Sequence, residues 1–141
     1  MLKPKDERRT HLSADDKLVG KVEVIDSGRY AEVTLTVHDS MTVDGKGLVH
    51  GGFTFGLADY AAMVAVNHPY VVLVSSNVKF LKPVVRGDRL LAKAQIVATE
   101  GEKRKVLCEV FNQNSERVFE GEFLCAILNR HILEIRRDRK N

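Results

Sequence analysis

The sequence predicts an α+β fold in which one long helix is wrapped by a strongly curved antiparallel sheet of about six strands. Segments on both sides of residues 50–67 alternate apolar and polar residues with a period of two, which is typical of half-buried antiparallel strands. Residues 50–67 (HGGFTFGLADYAAMVAVN) are instead apolar and rich in alanine and glycine. Small residues on several sides of a helix indicate that a sheet encloses it.

Two strands precede this helix and four follow it. Five of the six show the alternation, in residues 33–37, 71–80, 90–98, 106–110 and 119–127. Turn-forming residues separate the strands at positions 26–28, 86–88, 100–102 and 112–115. Pro69 is expected to end the helix near Asn67, because the residue before a proline disfavours the helical region. The first 15 or so residues are expected to be frayed or to form a short helix.

Composition predicts one domain: the chain has 141 residues and ordinary apolar and charged fractions. We divide it into an extension (residues 1–18), a folded domain (19–130) and a basic tail (131–141). The net charge of +3 comes from the two ends, which favours solvated termini over nucleic-acid binding. No membrane span or secretory leader is expected. Cys108 and Cys125 lie in strand-like runs without a zinc-type spacing, so we expect free buried thiols, no metal and a cytoplasmic location.

Asp59 is the first candidate for chemistry. On a helix, Phe55 precedes it by one turn and Ala62 and Met63 follow it by one turn, so this carboxylate falls on an apolar stripe. Burial of an unpaired carboxylate is costly and raises its pKa. The same segment begins with His50-Gly51-Gly52, where free backbone N–H groups can stabilise negative charge. A carboxylate on a helix that begins with an anion site indicates acyl chemistry.

These residues carry a family resemblance. The motifs are GLVHGG (residues 47–52), LAD (57–59), VKFLKPV (78–84) and GD (87–88). Over about residues 20–128 the chain resembles the hot-dog-fold thioesterases, specifically the single-domain type related to the phenylacetate-pathway acyl-CoA thioesterases. The resemblance implies a homodimer with sheets joined edge to edge, often paired again into a tetramer, and an active site at the dimer interface. The implied substrate is a thioester of coenzyme A or of an acyl carrier protein, with no other cofactor.

The resemblance also implies a role for each residue of the motif. Asp59 matches the catalytic carboxylate, and Gly51 matches the glycine whose N–H polarises the thioester carbonyl. His50 matches a histidine with a supporting or positioning role, and Gly52 follows as a glycine of close approach. Asp44 departs from the pattern, because many relatives carry asparagine there. An ionised aspartate cannot donate a hydrogen bond, so Asp44 either accepts one from a water, acts as a second carboxylate or caps a turn.

Other residues are implied to bind the substrate. Ser75 and Ser76 are candidates for the serine or threonine that holds the attacking water in relatives. Lys79, Lys82 and Arg86 form a basic patch that suits the phosphates of coenzyme A, although a solvated sheet edge explains the patch equally well.

The predicted reaction is thioester hydrolysis, with Asp59 as general base or as nucleophile. Three alternatives stay open. The first is a hot-dog dehydratase or hydratase, although its local pattern is absent from the sequence. The second is a non-catalytic acyl-CoA sensor, as in bacterial fatty-acid-synthesis repressors. The third is an inactive binding module, which Asp44 favours. Asp59 would then be a satisfied buried carboxylate that bridges the dimer interface.

Overall fold

The computed structural model describes residues 3–139 and contains one antiparallel sheet of six strands curved around a long helix. The elements are α1 (Asp16–Val19), β1 (Lys21–Asp26), β2 (Tyr30–Thr36), a 3-10 turn (Asp39–Met41), α2 (Gly51–Val66), β3 (Val71–Phe80), β4 (Arg89–Glu100), β5 (Lys103–Phe111), β6 (Arg117–Ile127) and α3 (Ile132–Arg139). The strand order across the sheet is β1-β2-β4-β5-β6-β3. The predicted α+β hot-dog architecture is therefore confirmed.

The core lies between α2 and the concave face of the sheet. Alternate residues of the strands point to the helix, as the period-two pattern predicts, and the aromatic members Phe119 and Phe123 of β6 are fully buried. Cys108 and Cys125 belong to the same layer and are both free thiols. Burial raises the pKa of the Cys125 thiol to about 12, so both cysteines act as small apolar residues.

One edge of the sheet is covered by the N-terminal extension. Ile25 of β1 donates its N–H to the carbonyl oxygen of Pro4 at 3.1 Å, and its carbonyl oxygen accepts from Asp6 at 3.0 Å. The expectation of a frayed or helical start is wrong for this stretch, where the chain is extended along β1. These contacts are made by the backbone, so an apolar pattern is not needed to form them.

The other edge of the sheet is β3, which pairs only with β6 among the described residues. Two of its apolar side chains, Val74 and Phe80, are more than half exposed, at 55% and 57%. An uncovered edge with exposed apolar side chains is suited to pairing with another strand. Within residues 3–139, no helix combines the length and the apolar character that a membrane crossing requires.

Candidate active site

The N-terminus of α2 leaves one backbone donor free. His50 is the N-cap residue, and its Nδ1 accepts from the N–H of Gly52 at 3.1 Å, while its carbonyl oxygen accepts from Phe53. The N–H of Gly51, the first helical residue, has no acceptor within residues 3–139. Because the helix dipole is positive at this end, this N–H is positioned to bind an oxygen that develops negative charge.

The ring of Phe80 lies against Gly51. A Cβ at position 51 would lie 3.0 Å from Phe80 Cε1, so the ring would have to shift slightly to admit any residue larger than glycine. Beside the two residues is a cleft of about 300 Å³, lined mostly by apolar side chains and also by Thr54 and Lys82. The free N–H of Gly51 therefore lies beside a largely apolar cleft.

Asp59 lies in the middle of α2 with one carboxylate oxygen completely buried. This oxygen, Oδ1, has no hydrogen-bond partner in the described part of the chain. Burial raises the pKa of Asp59 to about 6. The charge of Asp59 also contributes to the raised pKa values of Cys108 and Cys125, which indicates that its carboxylate is near these thiols of β5 and β6. A half-buried carboxylate with no partner and a pKa near neutrality is suited to proton transfer or nucleophilic attack.

Gly51 and Asp59 are separated along one helix. They are eight residues apart, which corresponds to about 12 Å of helical rise at ~1.5 Å per residue. A reacting carbonyl group needs its hydrogen-bond donor and its attacking group within about 3–3.5 Å. One chain therefore does not bring the two groups to the same carbonyl group.

Asp44 forms a turn before the helix. Its Oδ1 accepts from the backbone N–H of Lys46 at 2.9 Å and of Leu48 at 3.3 Å, and the side chain is exposed. Of the three possibilities left open by the sequence, this geometry favours the turn cap.

The register of β3 separates the two serines. Ser76 is paired with the buried Phe123, so it belongs to the face of the sheet that carries the core. Ser75 is paired with Leu124 and belongs to the opposite, outer face. Of the two, only Ser76 shares a sheet face with the helix that carries Asp59.

The basic residues are also divided. Lys79 is on the outer face, opposite Glu120, in a cleft separate from the one beside Gly51. Lys82 lines the Gly51 cleft and forms an ion pair with Glu116 at 2.8 Å. Arg86 pairs with Asp39 at 2.8 Å. The three cations therefore do not form one patch. Separately, among the described residues no cluster of three or more histidine, cysteine or acidic side chains could hold a metal ion.

Phe80 is a functional candidate that the sequence alone does not reveal. It belongs to the VKFLKPV motif, which by itself indicates no role for its aromatic ring. The alternation of Val78 and Phe80 shows which face of β3 the ring occupies, whereas its contact with Gly51 depends on how the end of β3 meets the start of α2.

Comparison with known families agrees with this geometry. Residues 46–119 match the model of the thioesterase superfamily. The chain belongs to this superfamily. The match includes the whole of α2 and the strands β3, β4 and β5, so it covers Gly51 and Asp59, whereas Asp44 lies just before it.

Two solved structures resemble the chain over most of its length. An uncharacterized protein from Pyrococcus horikoshii is 54% identical, with a TM-score of 0.88 over 91% of this chain and 97% of that one. The E. coli PaaI protein from the phenylacetic acid degradation operon is 29% identical, with a TM-score of 0.73 over 81% of this chain and 83% of that one. The second similarity agrees with the predicted phenylacetate-pathway type.

Two curated proteins match with different coverage. The methylthioribose-1-phosphate isomerase of Aquifex aeolicus is 53% identical over 120 residues, which are 85% of this chain and 26% of that protein. The transcription factor FapR of Caldanaerobacter subterraneus is 27% identical over 130 residues, which are 92% of this chain and 64% of FapR. The chain thus spans about a quarter of one relative and less than two thirds of the other.

Proposed function

We propose that this protein is a thioesterase that hydrolyses an acyl-CoA or an acyl carrier protein thioester at a site shared by two copies of the chain. The observation that carries the proposal is the buried, unpartnered carboxylate of Asp59 on a helix whose first N–H, at Gly51, is also free. Leaving a buried carboxylate oxygen without a partner is costly for folding, so a catalytic use explains Asp59 better than a structural one, and the Gly51 N–H is a helix-end donor that a substrate can use.

The distance between the two groups supports a site shared by two chains. In a symmetric dimer, Gly51 of one chain and the partner's Asp59 would serve the same thioester, and the symmetry would create two equal sites. The uncovered edge of β3 offers the surface for this pairing, because edge-to-edge addition would satisfy its free backbone groups. Pairing of two such dimers into a tetramer is part of the proposal.

The proposed reaction begins with the thioester carbonyl oxygen bound to the Gly51 N–H. By one route Asp59 removes a proton from water, the water oxygen bonds to the carbonyl carbon, and the C–S bond then breaks. By the other route the Asp59 carboxylate attacks the carbonyl carbon to give a mixed anhydride, which water hydrolyses. In both cases the thiolate leaves and takes a proton, and the acyl group becomes a carboxylic acid. Neither route needs a cofactor besides the thiol carrier.

His50 and Gly52 have supporting roles in this proposal. The imidazole engages the Gly52 N–H, which stabilises the helix start and leaves the Gly51 N–H as the available donor. Ser76 is the better placed of the two serines for holding the attacking water. For the coenzyme A phosphates, Lys82 is the nearest of the proposed cations to the Gly51 cleft, and its exposed ion pair with Glu116 is weak enough to exchange.

The test is thiol release from short, medium, long and aryl acyl-CoA substrates by the wild type, Asp59→Asn and Asp26→Asn. Asp26 is a matched control because it is an aspartate in the β1–β2 turn and forms an exposed ion pair with Arg29. We expect Asp59→Asn to lose about 10²-fold to 10⁴-fold in kcat/KM and to keep its assembly state and fold. Asp26→Asn should retain activity. Equal turnover by the wild type and Asp59→Asn would refute the proposed role.

A second function is favoured by the similarity to the transcription factor FapR over 92% of the chain. In this alternative the protein binds an acyl-CoA without hydrolysing it and passes the signal to a partner. Thermal unfolding with each acyl-CoA distinguishes the two. Stabilisation without thiol release from any substrate would favour the binding module, whereas turnover favours the enzyme.

A further inference from the structure

The cleft beside Gly51 has walls that are tied together by backbone hydrogen bonds. The Val49 N–H donates to the carbonyl oxygen of Val84 at 2.9 Å, and the Leu81 N–H donates to that of Val118 at 2.8 Å. All four of these residues line the cleft. A cleft built on such contacts is present before a ligand arrives, as binding sites for small molecules usually are.

The chemistry of the cleft suits one end of a thioester. Apart from Thr54 and the amphipathic Lys82, its lining is apolar. The Gly51 N–H lies beside the cleft and would bind the carbonyl oxygen. The acyl group and the thiol carrier would then extend from the carbonyl carbon in different directions. The apolar interior of the cleft accepts the acyl group, and the charged thiol carrier stays outside it, on the side where the Lys82 side chain is exposed and pairs with Glu116.

Phe80 forms one wall of this cleft and is exposed to an unusual degree for an aromatic residue. The residue is 57% exposed, although its ring lies against Gly51 and packs edge-on against the buried ring of Phe119, with 5.2 Å between ring centroids. An aromatic side chain is expected to bury more of its surface unless the exposed part has a partner. The contact with Phe119 holds the ring across the side of the cleft that is next to Gly51.

We propose that the Gly51 cleft binds the acyl group and that Phe80 determines its maximum length. This inference depends on the proposed thioesterase function. A cleft of about 300 Å³ has the volume of roughly ten water molecules at ~30 Å³ each, so it suits a short or medium acyl group and leaves part of a sixteen-carbon chain outside. Removing the Phe80 ring opens the wall, and a longer chain can then pass through it.

The experiment compares kcat/KM for acetyl-CoA, hexanoyl-CoA and palmitoyl-CoA in four proteins. They are the wild type, Phe80→Ala, Leu48→Trp and Val74→Ala. Leu48 lines the cleft and is 40% exposed, so tryptophan can narrow the cleft without overpacking the core. Val74 is the matched control, because it is equally exposed on the same strand as Phe80 but does not line the cleft.

We expect Phe80→Ala to raise the palmitoyl to hexanoyl ratio by at least tenfold and Leu48→Trp to favour acetyl-CoA over hexanoyl-CoA by a similar factor. Val74→Ala should keep the wild-type ratios. If the wild type turns over substrate but Phe80→Ala and Leu48→Trp do not change the ratios, the inference is wrong and the proposed function stands. A ratio changed equally by Val74→Ala would assign the effect to the β3 edge and would also overturn the inference.

Phe80→Leu covers the case in which Phe80→Ala does not fold, and thermal unfolding and light scattering check the fold of both variants. Phe80→Leu should raise the palmitoyl to hexanoyl ratio by a smaller factor than Phe80→Ala. If the wild type hydrolyses nothing, the proposed function fails. The cleft is then tested by the thermal stabilisation that hexanoyl-CoA and palmitoyl-CoA give to the same proteins, and a chain-length preference that does not depend on Phe80 would overturn the inference.

Discussion

The two ends of α2 differ in how completely their polar groups are satisfied. At the C-terminal end, Asn67 adopts the left-handed conformation with φ of 53° and is only 2% exposed. Its side chain accepts from the Arg9 N–H and donates to the carbonyl oxygen of Glu7 and to Ser27 Oγ. At the N-terminal end, His50 is exposed and the Gly51 N–H is free.

We interpret this difference as a division of α2 into an end that stabilises the fold and a part that is available to a substrate. The C-terminal end joins the N-terminal extension, the β1–β2 turn and the helix into one hydrogen-bonded unit, to which Arg8 adds a hydrogen bond to the Tyr60 hydroxyl. A region in which every buried group has a partner is suited to stability. The part of α2 from Gly51 to Asp59 retains a free donor and a free acceptor, and such groups are available to a substrate.

The largest expected effect is on the free donor. Gly51→Pro removes the N–H at the first helical position, where proline is tolerated, and His50 already has the extended conformation that a following proline requires. We expect kcat for thiol release to fall by about 10²-fold to 10³-fold. Gly51→Ala is the matched control, because it adds a Cβ near Phe80 and keeps the N–H. An equal loss in both variants would show that crowding rather than the missing donor is responsible.

The next effect is a loss of stability at the C-terminal end of α2. Asn67→Ala deprives Arg9, Glu7 and Ser27 of their buried partner and places alanine at a positive φ. We expect a loss of about 3 kcal/mol in the free energy of unfolding, measured with denaturant, with normal activity per folded molecule. Asn67→Gly accepts the backbone conformation and should lose less. Reduced activity in the folded protein would show that the two ends of the helix are coupled.

Asp59 should make stability depend on pH. Its pKa is about 6 in the folded chain and near 3.8 in the unfolded chain, so the unfolded state loses its proton first as pH rises. The wild type should therefore lose up to about 3 kcal/mol of stability between pH 4 and pH 6. Asp59→Asn should match the wild type at pH 4 and exceed it at pH 8, as chemical denaturation would show. A pH-independent difference would mean that the carboxylate is satisfied.

The same titration should appear in the activity of the wild type. Asp59 acts as base or nucleophile only when it is ionised, so kcat/KM should rise with pH, be half-maximal near pH 6 and level off about one pH unit higher. The loss of stability should end near the same pH at which activity is half-maximal, because both report the pKa of Asp59 in the folded chain. Half-maximal activity at a clearly different pH would separate the group that titrates in catalysis from the group that destabilises the fold.

The smallest effects concern Asp44. Asn retains the Oδ1 that accepts from Lys46 and Leu48, so Asp44→Asn should change stability by less than about 0.5 kcal/mol and kcat/KM by less than about threefold. Asp44→Ala removes the acceptor and should cost about 1 kcal/mol. A large loss of activity in Asp44→Asn alone would establish Asp44 as a second functional carboxylate.

The element order followed directly from local pattern. Period-two alternation identifies the strands, and the Ala-rich run of residues 50–67 identifies α2, which begins at Gly51 and ends at Val66, next to the expected end at Asn67. The motif from His50 to Asp59 also identified the groups that the structure leaves unpaired. Residues 4–6, which run along β1, carry no such signal, because their contacts with β1 come from the backbone and have no side-chain period.

The amino-acid pattern was sufficient for the architecture, the free thiols and the two chemical groups of the site, because each follows from contacts within a few residues of the chain. The tertiary structure was needed to show that Gly51 and Asp59 are too far apart to act on one carbonyl group within one chain. It also decided that Ser75 and Lys79 lie on the outer face, that Lys82 and Arg86 are paired, and that Phe80 covers Gly51. These facts depend on strand register and on how separate elements meet, which no local pattern encodes.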